Sequence, residues 1–110
     1  MPVMPLRLFG AVLFMLALLP ARLWASEADS IELLMQQVQS LIENEQGMTD
    51  AQRFEALVDI SYDYTVLSSP EFATFRGDPR GQDRWTDSSE AGLKRRRAEQ
   101  DQFLAALQSI

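Results

Sequence analysis

The sequence predicts an all-α protein, in which a signal peptide precedes three main amphipathic helices and one short helix. Three observations support this prediction. Apolar residues recur at helical spacing in three stretches, glycine and proline mark the gaps between them, and no long stretch alternates apolar and polar residues as a strand would. We therefore expect a signal peptide over residues 1–25 and one helical domain over residues 26–110.

Residues 1–25 have the three parts of a secretory signal peptide. Arg7 supplies a positive start, residues 8–19 form an unbroken run of twelve apolar residues, and Pro20 precedes a short segment that ends in Ala25. A membrane span needs about 20 apolar residues, more than this run supplies. We expect cleavage near Ala25, a secreted or periplasmic location, and no stable membrane insertion afterwards. The alternative is a small protein that keeps this segment as a membrane anchor.

The first helix is expected over about residues 30–45. Asp29 or Ser30 caps its start and Gly47 ends it. Its apolar stripe, which predicts the core-facing side, consists of Ile31, Leu34, Met35, Val38, Leu41 and Ile42.

The second helix is expected from Thr49 or Asp50 to about Leu67. Its apolar residues cover an arc too wide for the first helix to bury alone, so we expect it to pack against two neighbours. Glu55, Asp59 and Asp63 occupy the remaining face. One side of a straight helix does not supply the six or more oxygens of a calcium site, so we interpret this row as a solvated face rather than a metal site.

A short helix follows, with Ser68 or Ser69 as its cap and Pro70 at its first position. Gly77 ends it, and we expect a left-handed backbone there because Asp78-Pro79 prevents any continuation. The polar loop over residues 80–86 contains Trp85. We expect Trp85 to cover the helix–helix core; a ligand contact is the alternative.

The last helix is expected to start at Asp87 or Ser88, with Asp87 and Glu90 at capping-box spacing. Residues 94–97 (KRRR) wrap all round such a helix, so we expect a solvated face, with Arg95 paired to Glu99 and Arg97 paired to Asp101, rather than a phosphate site. The final turns carry an apolar stripe with few identifiable partners, which predicts binding of a protein partner or self-association there. The stripe consists of Phe103, Leu104, Leu107 and Ile110.

Composition excludes several functions. All sixteen acidic residues but only eight of the ten basic residues follow residue 25, which gives residues 26–110 a net charge of −8 and disfavours nucleic-acid binding. The chain has no cysteine and no histidine. It therefore lacks the commonest general base and the usual zinc ligands, and we assign no catalytic residue, no cofactor and no metal ligand.

Several runs of residues form one recognisable pattern, in order along residues 51–110: Ala56 to Tyr64, Leu67 to Thr74, Gly77-Asp78-Pro79, Asp83 to Ser88, Arg95 to Glu99 and Phe103 to Leu107. This pattern resembles the start of the bacterial family called "domain of unknown function 885", whose members are large, secreted, mostly helical proteins similar to zinc metallopeptidases. The resemblance implies a zinc site in a histidine–glutamate helix far towards the C-terminus, and no residue of this chain matches that motif.

Three interpretations of function remain open from the sequence. The first is a short or truncated, exported member of that family: the N-terminal portion of a larger helical protein, without catalytic activity of its own. The second is a free-standing exported helical module that binds a protein partner through its C-terminal helix. The third is a small membrane-anchored helical protein.

Overall fold

The computed structural model describes residues 27–110, and the regular secondary structure of this part of the chain is entirely helical. Its four helices are α1 (Glu27–Glu43), α2 (Asp50–Ser68), α3 (Pro70–Phe75) and α4 (Glu90–Gln108). They confirm the predicted order of three main helices and one short helix. The expected signal peptide, with its cleavage site near Ala25, lies outside the described residues.

Helix α1 ends earlier than the sequence suggested. Its last residue is Glu43, and Asn44 takes the left-handed backbone conformation with φ of 50°. The Asn44 Oδ1 accepts the N–H of Met48 at 2.8 Å, and its Nδ2 donates to the Met48 carbonyl at 3.1 Å. Asparagine tolerates this conformation because its short side chain bonds to nearby backbone. The prediction that Gly47 ends the helix is therefore wrong; Gly47 lies in the following turn.

Helix α2 begins at the predicted position. Thr49 is its N-cap and forms a complete capping box, since Thr49 Oγ1 accepts the Gln52 N–H and Gln52 Oε1 accepts the Thr49 N–H. Ser69 closes α2 and also precedes Pro70, the first residue of α3. Beyond α3, Gly77 has φ of 77°, which confirms the predicted left-handed turn.

Helix α4 starts later than predicted. Ser89 is the N-cap and its hydroxyl accepts the N–H of Gly92 at 3.0 Å. The predicted capping box of Asp87 and Glu90 does not form, because the Asp87 carboxylate accepts the N–H of Ser89 instead. The helix ends at Gln108.

The core lies where α1 meets both α2 and α4. The stripe predicted on α1 faces this core, and α2 packs against α1, α3 and α4, which confirms that it has more than one neighbour. Arg53 near the start of α2 contacts Ser109 just past the end of α4, whereas Tyr64 contacts Glu99, so α2 and α4 run antiparallel. The buried members of the cluster are Ile31, Leu34, Val38, Leu41, Leu57, Ile60, Tyr64 and Ala106.

Candidate functional site: an apolar groove between α2 and α4

The Trp85 loop does not form a lid. Trp85 is 84% exposed, so the prediction that it covers the core is wrong. The loop is fastened at its two ends by polar contacts: Arg80 donates to Asp63 at 3.0 Å, and both the N–H and the hydroxyl of Thr86 bond to Glu71 of α3. These anchors hold the loop beside α2 and α3, and the core is covered by helix-to-helix packing instead.

Arg80 also lowers the pKa of a carboxylate that it binds, that of Asp78. Its guanidinium forms an ion pair with Asp78 at 2.9 Å, and the Arg80 N–H donates to the same carboxylate. These hydrogen bonds lower the pKa of Asp78 to about 2. Asp78 and Asp63 in turn raise the pKa of Arg80, and the hydrogen bond to Asp78 is the larger cause.

The predicted acidic row divides into two parts. Glu55 and Asp59 are exposed, whereas Asp63 is bonded to Arg80. In the described part of the chain, no three histidine, cysteine or acidic side chains lie close enough together to hold a metal ion. The row is thus a solvated face with one end used to anchor the loop.

The basic run is spread around α4. Arg95 forms the predicted ion pair with Glu99, at 3.9 Å, and a second one with Asp87 at 3.8 Å. Arg96 is half-buried and donates to the Asp87 carbonyl, while Lys94 and Arg97 are exposed. Arg95 and Arg96 both contact Asp87, and Lys94, Arg96 and Arg97 line one open pocket on α4. The ion pair expected between Arg97 and Asp101 does not form.

A cleft of about 490 Å³, which we call the polar cleft after the charged side chains in its lining, lies between the N-terminal halves of α1 and α4. Tyr64 donates to Glu99 Oε1 at 3.3 Å beside it, and burial, followed by the charge of Glu99, raises the pKa of Tyr64 to about 12. Tyr64 is therefore held as a protonated donor rather than as a base. The cleft, in which Arg95 pairs with two acids, is lined by Ile31, Glu32, Met35, Ser68, Asp87, Arg95 and Glu99.

The second candidate is an apolar groove between α2 and α4, with a volume of about 300 Å³. Four large apolar side chains on its walls remain about half exposed: Phe54 (49%), Val58 (51%), Leu104 (52%) and Leu107 (49%). Leu57, Ser61 and Phe103 complete the lining. We call these seven residues the α2–α4 groove. In this groove, apolar surface from two helices converges and stays open to solvent.

The groove changes the interpretation of the predicted C-terminal stripe. Phe103, Leu104 and Leu107 all line the groove, although Phe103 is half-buried and also packs against Tyr64, with ring centroids 5.0 Å apart. Ile110 lies beyond the end of α4 and outside the lining. The four residues thus do not form a single surface.

The α2 wall, with Phe54 and Val58, was not assigned from the sequence. The available signal was the apolar arc of α2, which is wider than one neighbour can cover. The width of the arc predicts burial against two neighbours, whereas Phe54 and Val58, which belong to the arc, are exposed to solvent.

Arg53 sets the position of the two walls at one end of the groove. Its guanidinium is buried and donates to the Leu41 carbonyl at 3.1 Å, the Ser109 carbonyl at 3.0 Å and Ser109 Oγ at 2.7 Å. These groups lie at the C-terminal ends of α1 and α4, where helix dipoles place partial negative charge. Arg53 therefore joins three helices at one point and fixes where α4 ends relative to α2.

Among residues 27–110 no helix is long and apolar enough to cross a membrane. Comparison of the chain with known protein families, with curated proteins and with solved structures finds no match in any of the three.

Proposed function

We propose that this protein is an exported helical module, without catalytic activity of its own, that binds an amphipathic helix of a protein partner in the α2–α4 groove. The observation that carries the proposal is the convergence of Phe54, Val58, Leu104 and Leu107 on one open groove. Exposed apolar surface from two elements that is contiguous, rather than scattered, marks an interaction site.

The packing of α1 leaves this side of the α2–α4 pair open. Gln102 of α4 donates to the Met35 carbonyl of α1 at 2.9 Å, whereas Leu104 is two residues further on. Each residue turns about 100° around a helix, so Gln102 and Leu104 are separated by about 200°, or about 160° measured the shorter way. Leu104 therefore faces almost directly away from α1. A helix seated in the groove would complete a four-helix arrangement, with apolar anchors at positions i, i+3 or i+4, and i+7.

The proposed absence of catalysis rests on the chain's chemistry. With no histidine and no cysteine in its 110 residues, it has no side chain that titrates near neutral pH in its ordinary range. In the polar cleft, Arg95 is paired with Asp87 and Glu99, and Tyr64 donates to Glu99. Export rests on the leader pattern of residues 1–25.

We further propose that the module is related to the N-terminal part of the family that residues 51–110 resemble, and that it carries no zinc motif. Support comes from the order of the matching residues and from their grouping: Pro70 to Pro79 form α3 with its exit turn. An experimental structure of a full-length family member tests this. The same antiparallel α2 and α4, joined by a short Pro-started helix, would support the relationship, and a different order would contradict it.

Binding of a synthetic amphipathic helix tests the proposed function. We expect Leu104→Glu to weaken binding by about tenfold or more, because it places a charge in the apolar contact. Leu33→Glu is the matched control: Leu33 is 56% exposed, on α1 and outside the groove. Isothermal titration of each variant gives the affinities. Equal weakening by both substitutions, or no binding to the unaltered protein, would contradict the proposal.

A further inference from the structure

We infer that the helix bound in the α2–α4 groove also lies along the N-terminal half of α4 and carries acidic residues at that end. This inference rests on the function proposed above and adds the chemistry of the partner. It is carried by the open pocket on α4, which continues the groove and has a basic lining.

The pocket and the groove lie on one face of α4. Gln100 lines the pocket, of about 660 Å³, and is followed three and four residues later by Phe103 and Leu104 of the groove. At about 100° per residue, such spacings keep side chains on the same side of a helix. Five residues spaced alternately four and three apart form this face, which we call the α4 seam: Leu93, Arg97, Gln100, Leu104 and Leu107.

A seam with this spacing is the surface that one helix presents to another along its length. From its first to its last residue it covers fourteen steps of the helix, or about 21 Å. A helix seated on Leu104 and Leu107 therefore passes over Arg97 when it continues towards the start of α4.

The pocket offers positive charge to such a helix. Its lining contains three basic side chains and one acid, Glu90. Lys94 and Arg97 are exposed, and neither forms an ion pair or hydrogen bond with another described residue. Arg96 is half-buried and donates to the Asp87 carbonyl. Lys94 and Arg97, one turn apart, are thus the charges available to a ligand.

The seam changes from basic to apolar at Asp101. This acid lies one turn after Arg97 and next to the groove, and it is exposed without an ion pair to Arg97. Glu55 and Asp59 of α2 lie outside the groove lining. A partner helix therefore meets apolar side chains in the groove and basic ones only beyond Asp101.

The charge of the whole described part limits how far the partner's acidic residues extend. Residues 27–110 contain sixteen acidic and eight basic side chains, a net charge of −8, which repels a helix that is acidic along its whole length. Four of the eight basic residues lie at positions 94–97. A helix with acids confined to one end gains pairing with Lys94 and Arg97 and meets less repulsion elsewhere.

Three synthetic helical peptides of about 18 residues test the inference. They share one leucine stripe and differ only at two flanking positions at one end, which carry glutamate, glutamine or lysine. Isothermal titration into the full protein gives the affinities. We expect the glutamate peptide to bind about fivefold more tightly than the lysine peptide, the sum of two exposed charge pairs. Because the net charge of the protein favours the lysine peptide, this preference requires a local basic site.

Charge-neutralised variants locate the source of the preference. Lys94→Gln with Arg97→Gln should remove it. The control, Gln36→Glu with Gln37→Glu, makes the same change in net charge at exposed positions of α1 and should retain most of it. Circular dichroism checks that both variants fold. An equal loss in both would overturn the inference, because net charge rather than the α4 seam would then determine the preference.

The remaining outcomes separate this inference from the function on which it rests. If all three peptides bind equally and Leu104→Glu weakens binding, the groove binds a helix but the inferred acidic end is wrong. If no peptide binds, the proposed function itself fails. If phosphatidylglycerol vesicles bind the protein but not the variant with Lys94→Gln and Arg97→Gln, the occupant is a lipid surface and the inference is overturned.

Discussion

Arg53 is the residue on which the geometry of the groove depends most. A buried guanidinium is costly to desolvate, and here the charge is compensated by two carbonyls, a hydroxyl and the ends of two helix dipoles. Asp50, the nearby carboxylate, is well exposed and contributes little by comparison. The arginine thus acts mainly as a donor to helix ends.

Replacing Arg53 by methionine should destabilise the fold by about 3 kcal/mol, since it leaves the carbonyls of Leu41 and Ser109 without their donor. The control is Arg97→Met, at an exposed position, where we expect a change within about 0.5 kcal/mol. Urea denaturation followed by circular dichroism measures both. Equal unfolding midpoints for the two variants would show that the Arg53 contacts do not stabilise the fold.

The raised pKa of Tyr64 predicts that the protein loses stability at alkaline pH. Its pKa is raised from 10.0 to about 12 by burial and by Glu99. Below pH 10 the phenol is protonated in both folded and unfolded chains. Between the two pKa values only the unfolded chain releases the proton, so the free energy of unfolding falls as pH rises and levels off above the folded value.

Comparison of the protein with Tyr64→Phe isolates this effect. The urea midpoint is measured at about pH 9 and at about pH 11.5. Its decrease between the two pH values should be larger for the unaltered protein than for the variant. Identical pH dependence in the two proteins would mean that Tyr64 titrates at the same pH in both states.

At the residue scale, sequence reasoning was correct where one residue type determines the backbone. Pro70 at the first position of α3 and Gly77 at positive φ are of this kind. The burial of Arg53 and the exposure of Trp85 were not predictable, because each depends on groups far away in sequence. Arg53 contacts Ser109, 56 residues further along the chain.

At the scale of elements, the junction before α4 is tightly packed. A Cβ atom built on Gly92 would lie 2.6 Å from both the carbonyl oxygen and the carboxyl carbon of Asp87. Glycine thus permits the segment before Ser89 to fold back against the first turn of α4. This close approach orients the helix that forms one wall of the groove.

Gly92→Ala should therefore destabilise the protein, although alanine is the better helix former by about 1 kcal/mol. The clash involves backbone, so Asp87 must move; we expect a net loss of about 1–2 kcal/mol. The melting temperature followed at 222 nm measures it. An increase in melting temperature would show that the segment before α4 yields without cost.

Local signals determined how well each helix was predicted. The start of α2 and the core stripe of α1 follow from neighbouring residues, and both were correct. The start of α4 was misplaced because Asp87, Ser88 and Ser89 are all good N-caps. In the structure the Asp87 carboxylate accepts the Ser89 N–H, and Ser89 is the N-cap of α4.

At the scale of the whole molecule, the groove is a property of helix pairing. The sequence indicated exposed apolar residues at the end of the last helix, and Leu104 and Leu107 are indeed exposed. It gave no indication that Phe54 and Val58 lie opposite them, because about 50 residues separate the two walls. Antiparallel packing of α2 and α4 brings the walls together.

The central claim is that the α2–α4 groove binds a helix, and mapping of amide NMR shifts on addition of the synthetic amphipathic helix tests it most directly. We predict shift changes concentrated at residues 51–61 of α2 and 100–108 of α4, with little change in the outward face of α1 around Leu33 or in the loop around Trp85. Changes centred on α1 or on the Trp85 loop, with the groove unaffected, would contradict the account.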